Sequence, residues 1–183
     1  MRSSPRTGEP VPTRGPDVSR SGRRRGVRLG VVRPPTWIAP GRLLAGRHPG
    51  GLAPADAPEA VRELVELGVT LFLDLTEEGE LEPYAHLVFP ARHVRMPIRD
   101  FTVPDDDRLV RALDAIDAEL GAGGVVFVHC WAGCGRTGVV VGCWLVRHGT
   151  PPSEALARIA EARGLGCPQT LEQRLAILGW DGR

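Results

Sequence analysis

Residues 129–138 read His-Cys-Trp-Ala-Gly-Cys-Gly-Arg-Thr-Gly, and they stand between two segments of different character. The segment before them, residues 124–128, is apolar and β-branched, which predicts a buried strand. The segment after them, residues 139–147, predicts a helix. Cys130 therefore lies where a strand ends, a glycine-containing loop turns and a helix begins. Backbone N–H groups and the positive end of a helix dipole converge at such a junction, so the loop is suited to binding a phosphate-like dianion.

The side chains of this signature loop (residues 130–136) fit covalent chemistry on a phosphoryl group. Cys130 is the candidate nucleophile, because a helix N-terminus favours the thiolate form of a cysteine. Arg136 can bind two equatorial phosphoryl oxygens through its planar guanidinium. The Thr137 hydroxyl can donate to the thiolate or to the leaving sulfur, and His129 is expected to orient the loop. Each residue also has a structural alternative. Cys130 would be a buried core cysteine and Arg136 a partner in a surface salt bridge. Thr137 would be an ordinary first-turn helix residue and His129 a hydrogen-bonded core histidine.

The pattern Cys-x5-Arg-Thr, with a histidine before the cysteine, resembles the signature of the protein tyrosine phosphatase superfamily. It is most similar to the small dual-specificity members, including atypical and bacterial ones. The resemblance implies a cysteinyl-phosphate intermediate, no metal or other cofactor, and a phosphorylated protein as substrate. Phosphotyrosine is the first candidate, followed by phosphoserine and phosphothreonine. The residues expected to bind the phosphate or another oxyanion are Trp131, Ala132, Gly133, Cys134, Gly135 and Arg136.

A proton donor has to come from elsewhere in the chain. Residues 96–105 follow a predicted strand and resemble the mobile acid loop of small phosphatases, in which an aspartate precedes a proline. Asp100 is the choice for the general acid. The competitors Asp105, Asp106 and Asp107 are better suited to cap the next helix. Residues 167–173 resemble a segment that places a glutamine near the hydrolytic water, and Gln173 matches it best, although an exposed helical glutamine is an equal alternative.

Two residues depart from the pattern of the phosphoinositide phosphatases of this superfamily. Trp131 and Cys134 stand where those enzymes commonly carry lysine, which disfavours a multiply phosphorylated inositol lipid. Cys134 could also form a reversible disulfide with Cys130 that protects the nucleophile. The other cysteines, Cys143 and Cys167, complete no zinc-binding spacing. A thiolate nucleophile among four cysteines suggests a reducing cytoplasm.

Composition and patterning predict one folded domain. Residues 1–28 are rich in arginine, proline and serine, which predicts a disordered tail, and residues 29–183 form the domain. Residues 1–30 hold eight arginines and two acids, whereas the rest holds fifteen arginines and twenty acids. The basic tail could contact nucleic acid or acidic lipid, but a solvated tail is favoured and neither partner is expected. Predicted strands alternate with helices, so we expect an α/β fold with a mainly parallel central sheet.

Other classes of protein also fit part of the pattern. Rhodanese-like sulfurtransferases and arsenate reductases use a cysteine loop, but a rhodanese needs no general acid, so Asp100 disfavours that class. A non-enzymatic pseudophosphatase that only binds phosphate is the third reading. The complete set of Cys130, Arg136 and Asp100 argues against it, because a binding module would not need the nucleophile.

Overall fold

The computed structural model describes Met1, residues 34–51 and residues 53–183. The predicted tail, apart from Met1, and the predicted start of the domain at residue 29 lie outside the described residues. Among the described helices, none has both the length and the apolar character needed to cross a membrane.

A five-stranded sheet with the order β1-β2-β5-β3-β4 forms the centre of the domain. The strands are β1 (Thr36–Ala39), β2 (Leu43–Arg47), β3 (Leu71–Asp74), β4 (Arg92–Arg95) and β5 (Val126–Cys130). Only β1 is antiparallel to its neighbour, since it forms a hairpin with β2. The pairs β2–β5, β5–β3 and β3–β4 are parallel. The predicted α/β fold with a mainly parallel sheet is confirmed.

In the described part of the chain, five α-helices surround this sheet. They are α1 (Ala57–Glu66), α2 (Asp106–Gly121), α3 (Gly135–Arg147), α4 (Pro152–Arg163) and α5 (Leu171–Leu178). The sequence places the start of α3 at Val139, but the helix begins four residues earlier. Its glycines have low helix propensity, and tertiary packing overrides it. A Cβ at Gly142 would lie 2.6 Å from an Ile177 side-chain carbon, so glycine at this position lets α5 pack closely on α3.

The core has two parts, one on each face of the sheet. One part contains Val61, Leu64 and Phe72 beneath α1. The larger part holds residues of α2 to α5, such as Leu113 and Ile159. Burial on both faces explains why β3 and β5 are continuous apolar runs. The parallel strands all end at the same edge of the sheet, and Cys130 is the last residue of β5.

Candidate active site

The signature loop is fixed against the end of β2. Cys130 is a free, buried cysteine, and the loop passes through Gly133 at a φ of 68° before α3 begins at Gly135. A Cβ on Gly133 would lie 2.1 Å from the carbonyl oxygen of Gly46, so only glycine fits there. The backbone N–H of His48 also donates to the carbonyl of Trp131 at 3.0 Å. These contacts pack the loop tightly against the end of β2.

Arg163, the last residue of α4, supports the loop from behind. Its buried guanidinium donates to the carbonyl oxygen of Gly133 at 2.8 Å and to that of Ala132 at 3.5 Å. In a trans peptide the C=O and the N–H point in opposite directions. Holding these carbonyls on one side turns the N–H groups of Gly133 and Cys134 to the other side. The sequence analysis missed Arg163, because an arginine at the end of a helix is the common cation for its dipole.

Arg136 lies in the first turn of α3 and forms a bidentate ion pair with Glu80. Nη2 donates to Oε1 at 2.6 Å and Nη1 to Oε2 at 2.7 Å, while Nη1 also donates to the Ile98 carbonyl at 3.1 Å. Burial opposes the charge of Arg136, but the hydrogen bonds to Glu80 and the negative charge of the Cys130 thiolate raise its pKa. Arg136 is therefore a fixed cation at the signature loop.

Glu80 is the second site residue that the sequence analysis missed. Burial opposes its ionised form, but the hydrogen bonds from Arg136 outweigh this and lower the pKa of its carboxyl group. It lies in the segment 77–87, for which the sequence predicts only a short helical or irregular excursion between β3 and β4. Several acids occur there, and no local spacing distinguishes Glu80 from Glu77, Glu78 or Glu82.

Two polar atoms at the loop are left with unused hydrogen-bonding capacity. Within the described residues, Nε of Arg136 and Oγ1 of Thr137 are buried and have no hydrogen-bond partner. Buried polar groups are normally paired, so unpaired ones need an explanation. A phosphoryl group at the loop would give Nε an acceptor, and a thiolate or leaving sulfur would give Oγ1 one.

Asp100 reaches the same place from the loop after β4. Its Oδ1 lies 3.2 Å from Nη2 of Arg136 and accepts a hydrogen bond from the N–H of Phe101 at 3.0 Å. The Asp100 side chain is 37% exposed, so it stands at the rim of the site. Asp105, in contrast, accepts from the N–H of Arg108 at 2.8 Å and caps α2, as predicted. Asp106 and Asp107 occupy the first turn of that helix.

His129 is buried behind the loop in a cluster of polar rings. Its Nε2 is hydrogen-bonded to the hydroxyl of Tyr84, and its Nδ1 lies 3.3 Å from the carbonyl oxygen of Cys130. Burial lowers the pKa of His129 to about 4, although the Asp74 carboxylate works against this shift. The imidazole is therefore neutral at pH 7. That His129 orients the signature loop stays a prediction. Its buried position behind the loop is consistent with that role.

The burial of His129 has a consequence for stability in acid. The unfolded chain protonates this imidazole near its ordinary pKa of 6.5, whereas the native chain does so only near 4. Between these values the unfolded state binds more protons, so lowering the pH favours unfolding. We expect the free energy of unfolding to fall by about 3 kcal/mol from this group as the pH drops from 6.5 to 4. Urea titrations at several pH values would measure it.

A substitution tests whether His129 causes this dependence of stability on pH. His129→Gln should give a flatter dependence of the unfolding free energy on pH in this window. His86→Gln, at an exposed position between β3 and β4, should retain the wild-type slope. Equal slopes for His129→Gln and wild type would show that another group is responsible.

Cys134 forms a disulfide with Cys167, in the loop between α4 and α5. The hypothesis of a bond between Cys134 and Cys130 is wrong, because Cys130 is free. A disulfide requires two cysteines whose Cα atoms approach closely, and the Cα atoms of Cys134 and Cys167 are 5.0 Å apart. The pairing ties the signature loop to the segment that carries Gln169 and Gln173.

Gln173 is buried rather than exposed on its helix. Its Oε1 accepts from the backbone N–H groups of Gln169 and Thr170, and its Nε2 donates to the carbonyl of Thr102 at 3.1 Å. Its amide thus caps α5 and holds the acid loop. Gln169 is exposed, and its Oε1 would lie 2.5 Å from a Cβ built on Gly135. Water positioning by Gln173 stays a prediction, and Gln169 is a second candidate.

Comparison with known proteins agrees with this geometry. Residues 33–172 match the family model described as a Swiss Army Knife protein, DSP-PTPase phosphatase domain. The dual specificity protein phosphatase CDC14AB of Danio rerio is 34% identical over 155 residues, which cover 78% of this chain and 24% of the relative. The phosphatidylglycerophosphate phosphatase PTPMT1 of Arabidopsis thaliana is 32% identical over 106 residues, or 54% of this chain and 30% of the relative. The chain thus spans less than a third of either protein.

A solved structure extends the agreement to the fold. The active form of Tk-PTP superposes with a TM-score of 0.71 at 27% identity, covering 81% of this chain and 97% of that chain. Because the family model matches most of its length, this chain belongs to the DSP-PTPase phosphatase domain family of the protein tyrosine phosphatases.

Proposed function

We propose that this protein hydrolyses phosphomonoesters on proteins through a cysteinyl-phosphate intermediate. The observation that carries the proposal is the convergence of three groups from separate elements. Cys130 ends β5, Arg136 lies in the first turn of α3, and Asp100 comes from the loop after β4 to within 3.2 Å of Arg136. A nucleophile, a phosphate-binding cation and a proton donor are the parts that this chemistry needs.

In the first step, Sγ of Cys130 attacks phosphorus and the phosphorus–oxygen bond of the leaving group breaks. Arg136 and the loop N–H groups bind the equatorial oxygens, and Asp100 gives its proton to the leaving oxygen. In the second step water attacks phosphorus, Asp100 takes a proton from it, and the phosphorus–sulfur bond breaks. The Thr137 hydroxyl donates to the departing thiolate. Glu80 holds the guanidinium of Arg136 in place throughout.

The substrate class is part of the proposal. A phosphoprotein, with phosphotyrosine as the first candidate, is favoured by the likeness to a protein named as a dual specificity phosphatase. Sulfur transfer and phosphate binding without turnover are disfavoured, because neither would use a carboxyl group held 3.2 Å from Arg136. The proposal includes the cytoplasm as location, since Cys130 must stay reduced to attack; in that compartment the disulfide between Cys134 and Cys167 would be transient.

A leaving-group comparison tests the role of Asp100. We expect Asp100→Asn to lower kcat for a phosphotyrosine peptide about 100-fold, because the amide cannot protonate the leaving oxygen. The loss should be smaller with p-nitrophenyl phosphate, whose leaving group departs readily without a proton. Both substrates are assayed with EDTA present, by released phosphate.

Asp107→Asn is the matched control, because Asp107 lies exposed in the first turn of α2. It should retain wild-type rates on both substrates. An equal loss on the two substrates for Asp100→Asn would remove Asp100 from the role of general acid. If the wild type transferred sulfur from thiosulfate to cyanide and had no phosphatase activity, the protein would be a sulfurtransferase and the proposal would be wrong.

A further inference from the structure

A cavity of about 250 Å³ lies between the segment that follows β4 and the first half of α2. Residues 95–98 line it from the strand, and Arg108, Arg111 and Ala112 line it from the helix. Because β4, β3 and β5 are parallel, their carboxyl ends share one edge of the sheet. The cavity therefore lies at the same edge as Cys130, the last residue of β5.

Three arginines line this cavity, which we call the arginine pocket. They are Arg95, Arg108 and Arg111, and no carboxylate is among the described residues that line it. Arg108 and Arg111 are three positions apart in α2, so their side chains are neighbours on one face of the helix. Like charges repel at such short range, so their convergence on one small cavity favours an anionic ligand.

Nearby carboxylates compensate this positive charge only in part. Asp74 is buried and accepts from Nε and Nη2 of Arg95 at 3.1 and 2.9 Å, which fixes that guanidinium. Asp105 lies 3.3 Å from Nε of Arg108, but both side chains are 60% exposed, so the pair is weak. Within the described part of the chain, Arg111 makes no hydrogen bond and no ion pair. The pocket therefore keeps positive charge and unused N–H donors.

Ile98 joins the arginine pocket to the candidate active site. It lines the pocket, and its carbonyl oxygen accepts from Nη1 of Arg136 at 3.1 Å. Asp100, the candidate proton donor, follows two residues later. A ligand in the pocket therefore contacts the segment that leads into the acid loop. An extended peptide advances about 3.4 Å per residue, so a residue close to the phosphotyrosine can reach the pocket.

We propose that the arginine pocket binds a second phosphate group carried by the same peptide substrate. This inference rests on the proposed function, because it concerns the substrate of that reaction. Guanidinium groups bind phosphate through paired N–H donors. A phosphomonoester offers three acceptor oxygens, so donors from β4 and from α2 can share it. The cavity is smaller than the roughly 300 to 1,000 Å³ of sites for drug-sized ligands, which suits one phosphorylated side chain.

The experiment measures kcat/KM for a phosphotyrosine peptide with and without a second phosphate group. The second group is a phosphonate analogue of phosphoserine, which cannot be hydrolysed, placed about two to four residues from the phosphotyrosine on either side. At the best spacing we expect the wild type to turn over the doubly modified peptide about tenfold more efficiently, since charge-assisted hydrogen bonds form in the pocket. Added salt should reduce this enhancement.

Variants of one exposed arginine test where the second phosphate binds. Arg111→Gln should lose most of the enhancement and keep the wild-type kcat/KM for the singly phosphorylated peptide. Arg111→Lys keeps the charge but not the paired donors, so its enhancement should fall between the two. Arg62→Gln is the matched control, because Arg62 is an exposed arginine of α1 that does not line the pocket. It should retain the full enhancement.

Two results would overturn the inference and leave the proposed function standing. One is hydrolysis of the singly phosphorylated peptide with no enhancement at any spacing, and the other is an equal enhancement in Arg111→Gln and wild type. A wild type that hydrolyses no peptide would overturn the proposed function. Binding of the same peptides to Cys130→Ser, followed by fluorescence anisotropy, tests the pocket independently of turnover, and equal affinities for the two peptides would count against it.

Two further arms distinguish other sources of the phosphate. Inorganic phosphate could stabilise Cys130→Ser against thermal unfolding less when Arg111→Gln is added, while no peptide shows an enhancement. The pocket would then bind the free anion, and its assignment to the substrate would be wrong. Preferred hydrolysis of a soluble inositol bisphosphate over both peptides, lost in Arg111→Gln, would assign the pocket to a phosphorylated sugar.

Discussion

Replacing Cys130 with serine is expected to abolish turnover of p-nitrophenyl phosphate, with kcat falling about 10⁴-fold or more. A serine hydroxyl is almost entirely protonated at neutral pH and is a far weaker nucleophile than a thiolate. No other described free cysteine can replace it, because Cys143 lies buried in α3 and burial raises its pKa to about 12. Steady-state rates at saturating substrate would measure the effect.

Binding separates loss of chemistry from loss of structure. Cys130→Ser should still be stabilised against thermal unfolding by tungstate or phosphate, because Arg136 and the loop N–H groups remain. Cys143→Ser is the matched control and should retain turnover. A Cys130→Ser enzyme that keeps more than a tenth of the wild-type kcat would contradict the cysteinyl-phosphate mechanism.

Arg136→Lys is expected to lower kcat/KM about 10³-fold although it keeps the positive charge. The guanidinium donates hydrogen bonds to Glu80 from both terminal nitrogens, while its buried Nε remains available to a phosphoryl oxygen. A lysine ammonium has one nitrogen and cannot keep both contacts. The measurement is kcat/KM for p-nitrophenyl phosphate, together with a melting curve that establishes folding.

Arg147→Lys provides the control for this substitution. Arg147 is the last residue of α3 and pairs with Asp114 and Asp117, away from the signature loop. It should retain wild-type kcat/KM. A folded Arg136→Lys enzyme within tenfold of wild type would mean that a simple positive charge suffices, and the bidentate geometry would lose its proposed role.

Local patterns predicted the parts of the site that lie close together in sequence. The apolar run before Cys130 predicted β5, and the glycines after it predicted a turn into a helix. The alternation of strands and helices predicted a parallel sheet whose strand ends bring the segments after β4 and β5 together. Asp100 came from the resemblance of its loop, and the structure places it beside Arg136.

The residues that the sequence analysis missed act over long separations. Glu80 pairs with Arg136 across 56 positions, Arg163 reaches Gly133 across 30, and Cys167 bonds Cys134 across 33. None of these pairings leaves a periodic or spaced signal, because each depends on the packing of a whole element. The start of α3 was missed because it also depends on tertiary packing. Its glycines have low helix propensity but allow other segments to pack closely on the helix.

The disulfide between Cys134 and Cys167 affects how this protein has to be handled at the bench. Dithiothreitol is a natural addition to an assay that depends on the free thiol of Cys130. The same reagent can reduce the bond that ties the signature loop to the loop before α5. Buffer composition would then select which of two covalent forms is assayed. Non-reducing alkylation followed by mass analysis is the measurement that assigns a rate to one form.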